Sequence, residues 1–181
     1  MGRICGFDVQ IDDTTHKGTG ALVFYDTETE EVVFHVTESQ VCTEEYRAGQ
    51  LAKRELPFFV ELFKHVPYLP DAVFIDGNGR LHPEKNGFAC RVFESLSVKV
   101  PVVGIAKSIH YFHGLKVEGD SVIFEDEVVA MKVYNGTATN PVFVSVGGGI
   151  TLPEAVALVK SCSKYRVSEP IRHADSFARG H

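Results

Sequence analysis

A chain of 181 residues with 44% hydrophobic and 23% charged residues is long enough to bury a core, and it reads as one domain spanning residues 1–181. Its formal charge of −6 argues against a protein that coats nucleic acid, since that affinity comes from Lys and Arg neutralising phosphates; an enzyme that gathers carboxylates around a cation and keeps its basic surface local remains compatible. No stretch approaches the roughly 20 apolar residues of a membrane helix. The first residues lack the apolar run of a signal peptide, and Cys5, Cys42, Cys90 and Cys162 form no C-x-x-C pair. A soluble, intracellular protein with reduced, mostly buried thiols is therefore expected.

The chain opens with β-rich segments at Arg3–Ile11, Gly18–Asp26 and Glu31–Val36, the last two separated by the turn Asp26-Thr27-Glu28-Thr29-Glu30. Three sequential strands in an antiparallel meander follow from that pattern. From Glu44 to Lys64 apolar residues recur at helical spacing (Leu51, Phe58, Phe59, Leu62, Phe63), with Pro57 expected to end or kink one helix. Ala72–Ile75 reads as a buried strand running into the tight loop Asp76-Gly77-Asn78-Gly79, and Phe88–Leu96 as a helix. Val102–Ala106 is another buried strand, and Val122–Phe124 with Val128–Tyr134 a hairpin. Pro141–Val146 is a last strand, which Gly147-Gly148-Gly149 lets turn. Thr151 and Glu154 then stand in capping-box relation before a helix carrying Ala155, Val156, Leu158 and Val159. The pattern is α/β with a mixed sheet.

A few residues break the apolar patterning. Asp8 interrupts a strand between Phe7 and Val9, where a buried carboxylate needs compensation, from a cation or from an edge position facing water. Asp76 ends a buried strand immediately before glycines, where α/β sheets present ligands to a crevice, although Asp-Gly also forms ordinary turns. Glu55, beside Lys53 and Arg54, reads by itself as part of a solvated helix face. Brought together, such carboxylates would make a hard oxygen site suited to Mg²⁺ or Mn²⁺. His82 and Lys107 follow predicted strands; each reads either as a phosphate-holding group or as an ordinary loop residue.

The order Gly6-Phe7-Asp8-Val9, Arg54-Glu55, Val73-Phe74-Ile75-Asp76-Gly77-Asn78-Gly79-Arg80-Leu81-His82-Pro83, Gly87-Phe88-Ala89-Cys90 and Gly104-Ile105-Ala106-Lys107 resembles the endonuclease V family. The likeness continues through Pro141–Gly147 and Tyr165–Asp175 and so covers nearly the whole chain. The resemblance implies an RNase H-like fold: a mixed sheet with an antiparallel meander at the start, flanked by helices. It implies a Mg²⁺ site, with Mn²⁺ as substitute, made by Asp8, Glu55 and Asp76, with Asp175 and Lys107 completing the catalytic set. Nucleic acid, DNA or RNA containing inosine and with single strands tolerated, would contact Tyr46, Gly49, Gly77, Asn78, Gly79, His82 and Lys107. Cleavage would fall one nucleotide 3′ of inosine, leaving a 3′-hydroxyl and a 5′-phosphate. A monomer in the cytoplasm, or the nucleus of a eukaryote, without membrane association, is the corresponding expectation. The sequence departs from the family where a Tyr-Ile-Pro-Gly wedge is usual and Tyr46-Arg47-Ala48-Gly49 stands. Arg91 and Gly148 occupy positions where histidine is frequent. The competing readings are a binding module of the same fold that cuts little, and a small-molecule α/β enzyme, the latter disfavoured by the absence of a Gly-rich phosphate loop or a nucleophile elbow.

Overall fold

The computed structural model describes residues 2–42, 51–109 and 112–180, without the side chains of 51–53 and 85. Tyr46 and Gly49, the rest of the wedge segment and the start of the predicted helix at Glu44 lie outside the described residues.

Strands β1 (Arg3–Asp12), β2 (Lys17–Asp26) and β3 (Glu31–Val41) form the expected antiparallel meander, with Asp8 opposite Ala21 and Ala21 opposite Thr37. Helix α1 (Leu51–Phe63) leads to β4 (Ala72–Asp76), followed by the two short strands β5 (Arg80–His82) and β6 (Lys85–Asn86), then α2 (Phe88–Ser95) and β7 (Val102–Ala106). The chain continues through β8 (Leu115–Glu118), β9 (Ser121–Phe124), β10 (Glu127–Val133), β11 (Val142–Gly148), α3 (Leu152–Ser161) and α4 (Glu169–Ala178). The main sheet has nine strands in the order β3-β2-β1-β4-β7-β11-β10-β9-β8; β5 and β6 pair separately. β1, β4 and β7 run parallel in its middle, and antiparallel strands flank them.

Period-two alternation assigns the faces. On one face Cys5, Phe7, Val9, Val73 and Ile75 pack with Phe58, Phe59 and Leu62 of α1 and Phe88 and Val92 of α2. On the other, Ile4, Ala72, Phe74, Val103 and Ile105 pack with Ala155 and Val159 of α3 and Ile171 of α4. Gly6, Asp8 and Asp76 belong by alternation to this second face.

Some expectations change. Pro57 lies inside α1 instead of ending it. Phe58, Phe59 and Leu62 on its buried face are 1%, 1% and 0% exposed, and their burial outweighs the hydrogen bond that proline cannot donate. The glycines Gly147 and Gly148 do not turn the chain but extend β11. A Cβ at Gly147 would lie 2.6 Å from the Ala89 carbonyl oxygen, and one at Gly148 2.5 Å from the Phe93 ring, so both residues let α2 close onto the sheet. The Phe93 ring thus occupies the space of a side chain at position 148. The turn itself falls at Gly149, whose φ is 75°. Helix α4, β8 and the β5–β6 pair were not anticipated. For α4 the signal was present, a proline in its first turn and Ile171, Ala174 and Ala178 on its buried side. The four cysteines are free and buried, and no helix among the described residues is long and apolar enough to cross a membrane.

Candidate active site

The parallel strands β1, β4 and β7 run in the same direction, and β4 and β7 end where β1 continues beyond them. Phe7 pairs with Ile75 and Asp76 with Ile105, so Asp8, within β1, stands level with Asp76 at the end of β4 and Lys107 just past the end of β7. This is where open α/β sheets form ligand crevices. Asp8 is 7% exposed on a central strand, which removes the solvent-facing edge reading.

Helix α4 reaches Asp8 because residue 6 is glycine: a Cβ there would sit 2.1 Å from the Pro170 carbonyl oxygen. That close approach lays α4 along β1 and carries Asp175 to the level of Gln10, whose Nε2 donates to Asp175 Oδ1 at 2.8 Å and to Asp8 Oδ2 at 3.3 Å. Arg179, one turn beyond Asp175 at the C-terminal cap of α4, donates from Nε to both Asp175 oxygens at 3.0 Å. Glu55 arrives from the opposite face. Its neighbour Arg54 is buried and ion-paired to Asp13, just past the end of β1, which anchors the first turns of α1 at the crevice. Glu55 is consequently no solvated helix residue, as its local sequence would suggest, but partly buried within range of the Asp76 charge.

The electrostatics register this convergence. Burial first, then a hydrogen bond with Asp175 and the charges of Asp76 and Asp175, push Asp8 up to about 8. Burial and the Asp76 charge raise Glu55 to about 7, against the pull of Arg54. Asp76 is itself raised by burial and Asp175, with Lys107 opposing. Among the described residues no three His, Cys, Asp or Glu side chains close into a ready ion cage.

These shifts fix a sign. Carboxyls raised in the folded state cost nothing below about pH 4, where they are protonated folded or unfolded, and erode stability as pH rises from there through about 8. In EDTA the melting temperature is expected to fall between pH 5 and pH 8. A divalent cation is expected to restore more stability at pH 8 than at pH 5.5, releasing protons as it binds. Calorimetry across that range checks this, and a cation effect that does not grow with pH contradicts it.

The loop Gly77-Asn78-Gly79 is fixed by internal bonds. The Gly77 N–H donates to Ile105 O at 3.0 Å and the Gly79 N–H to the buried Ser145 Oγ at 2.7 Å. A Cβ at Gly79 would meet the Val146 carbonyl oxygen at 2.3 Å, and one at Gly87 the Asn78 carbonyl oxygen at 2.1 Å. Both glycines thus serve close packing of backbone on backbone, and the Gly77 and Gly79 amides are spent within the protein. His82 does not join the carboxylates: its ring packs on Phe124 at 4.5 Å and Phe112 at 5.3 Å, and its Nδ1 accepts from the Glu84 N–H at 2.9 Å. It lines a separate cleft of about 600 Å³ with Arg80, Cys90, Phe93 and Val128. Lys107 is exposed, its backbone carbonyl held by Arg166 Nη2 at 3.1 Å. Gln10, Arg179 and Ser145 were not anticipated. Each is an ordinary polar residue in the sequence, and only tertiary contacts give it a partner.

The family model described as Endonuclease V matches residues 1–176. Endonuclease V of Homo sapiens is 31% identical over 204 residues, covering 100% of this chain and 72% of the human protein. That of Myxococcus xanthus is 35% identical over 178 residues, covering 95% and 75%. The crystal structure of a Ciona intestinalis endonuclease V variant in complex with a 23mer DNA containing an inosine followed by a ribo-adenosine superposes with a TM-score of 0.88 at 25% identity, covering 98% of this chain and 84% of that one. The chain therefore belongs to the endonuclease V family and is an endonuclease built on an RNase H-like fold.

Proposed function

We propose that this protein hydrolyses a phosphodiester bond one nucleotide 3′ of inosine, in DNA or RNA, leaving a 3′-hydroxyl and a 5′-phosphate, and accepts single strands. The observation that carries the reading is the meeting of Asp8, Glu55, Asp76 and Asp175 beside Lys107, where β4 and β7 end against β1. Inosine as target is supported by the inosine-containing DNA bound to the Ciona relative.

The donor set fits a hard divalent cation: several buried carboxylates raise one another's proton affinity, and each proton marks a place where a cation relieves the same repulsion. Asp8, Glu55 and Asp76 would hold Mg²⁺ or Mn²⁺, which supplies charge neutralisation at the phosphate and a more acidic water. Lys107, next to Asp76, balances the phosphate charge that the carboxylates would otherwise repel. Asp175, clamped by Gln10 and Arg179, orients the acidic set from the helix side. The Gly77–Gly79 loop, held by the Ile105 carbonyl and Ser145, and His82 beyond it would line the path of the strand beside the carboxylates.

The test is incubation with inosine-containing and inosine-free DNA and RNA, single- and double-stranded, with Mg²⁺, Mn²⁺ or EDTA. Cleavage confined to inosine strands with a cation present, mapped to the second phosphodiester on the 3′ side, is the expected result. Retained binding without cleavage under every condition favours a recognition module instead.

A further inference from the structure

We propose that Gln10 is a positioning residue of the active site, a neutral bridge that sets Asp175 against Asp8 without supplying charge; the inference rests on the carboxylate site proposed above. Asp8 comes from the central strand β1 and Asp175 from α4; a proton shared between them ties them directly, and once both are ionised each repels the other. Nothing in the backbone ties the two carboxylates at a fixed separation. The Gln10 amide does so, since its Nε2 lies 2.8 Å from Asp175 Oδ1 and 3.3 Å from Asp8 Oδ2. An amide nitrogen carries two N–H donors, one for each carboxylate.

Position 10 shares the sheet face of Asp8, two residues along the strand, so the side chain has the direction and length to span to α4. Arg179 holds Asp175 from the other side through Nε, at 3.0 Å to each oxygen, and is itself half exposed, so water screens much of its charge. Between the two groups the carboxylate of Asp175 loses its freedom to rotate.

The choice of an amide has a chemical consequence. A Lys or Arg at position 10 would bridge the acids equally well but would install a resident positive charge where a divalent cation must bind. Glutamine orders the acids and leaves their negative charge available. Outer groups that orient ligands in this way typically govern affinity and rate by about 10- to 100-fold.

Gln10→Met keeps length and volume and removes both donors; Gln10→Lys keeps a donor and adds charge. Mn²⁺ binding to the free protein is measured by calorimetry, kcat and KM on an inosine-containing oligonucleotide, and folding by circular dichroism and melting temperature. Gln10→Met is expected to weaken Mn²⁺ binding and lower kcat by about 10-fold each, with KM and the fold unchanged. Gln10→Lys is expected to weaken Mn²⁺ binding further still. Arg179→Ala is expected to act in the same direction, and the Gln10→Met/Arg179→Ala double variant to lose less than the product of the two, because both act on Asp175. Gln10→Met with parent-like Mn²⁺ affinity and kcat overturns the proposal. Asp8→Asn separates the two levels. If it weakens Mn²⁺ binding while Gln10→Met does not, only the bridge fails; if it leaves Mn²⁺ binding intact, the carboxylate site itself is refuted.

Discussion

Asp76→Asn is expected to lower the cleavage rate on the order of 10³-fold or more while making the cation-free protein more stable at pH 8. The two effects have one origin. Asp76 stands at the end of β4 with its charge acting on both Asp8 and Glu55, and it raises the proton affinity of each. An amide of the same shape keeps the packing, removes that repulsion, and lets Asp8 and Glu55 ionise at lower pH. The stability lost between about pH 4 and pH 8 shrinks, so the melting temperature in EDTA at pH 8 rises above that of the parent. The stabilisation expected on adding Mg²⁺ shrinks for the same reason. A variant that is inactive because it is misfolded would show the opposite stability change. Melting curves at pH 5.5 and 8, with and without Mg²⁺, run beside single-turnover cleavage, test both halves. Activity within tenfold of the parent would remove Asp76 from the reaction.

Gly6→Ala is expected to damage stability and activity together although residue 6 touches no ionisable group of the site. A methyl group there would stand 2.1 Å from the Pro170 carbonyl oxygen and 2.3 Å from its carbon, both main-chain atoms that cannot rotate aside. Either β1 bends in the middle of the sheet or α4 lifts. Overpacking of this kind costs about 3 kcal/mol, which for a chain of this size lowers the melting temperature by about 6–12 °C. Lifting α4 also carries Asp175 away from Asp8 and Gln10, and a displacement of about 1 Å at a reacting centre costs on the order of 10²-fold in rate. Gly119→Ala supplies the comparison. Gly119 has φ 61° but open space around it, in the edge hairpin between β8 and β9. Strain there is expected to cost about 1 kcal/mol and to leave the rate unchanged. A Gly6→Ala protein with parent-like melting temperature contradicts the tight seating of α4.

Much of the fold was legible where residue pattern and local structure coincide. The meander, the buried strands ending at Asp76 and Ala106, and the capping box at Thr151, whose hydroxyl accepts the Glu154 N–H at 3.3 Å, are local events with local signals. The same holds for the turn between β9 and β10, where Glu125 and Asp126 adopt φ of 49° and 65° as a two-residue hairpin requires. Pro57 shows the limit. Local chemistry forbids its hydrogen bond, and tertiary burial of the flanking phenylalanines decides for a continuous helix. The glycines after Val146 repeat the lesson, since what they accommodate is α2, an element some 55 residues earlier in the chain.

The site divides in the same way. The sequence by itself determined that Asp8 interrupts one apolar strand and that Asp76 ends another, because alternation and neighbours are visible in the residues. It also determined the family likeness that singled out Glu55, Lys107 and Asp175. Only the tertiary structure decided that Glu55 leaves solvent for the crevice, through the anchoring of Arg54 on Asp13. It alone turned His82 toward Phe112 and Phe124, committed the Gly77 and Gly79 amides to Ile105 and Ser145, and made a bridge of Gln10. The reason is physical: strand formation, tight turns and helix capping are set by interactions among near neighbours, whereas the charge balance of a buried site depends on groups from β1, β4, α1 and α4 that no short stretch of chain contains.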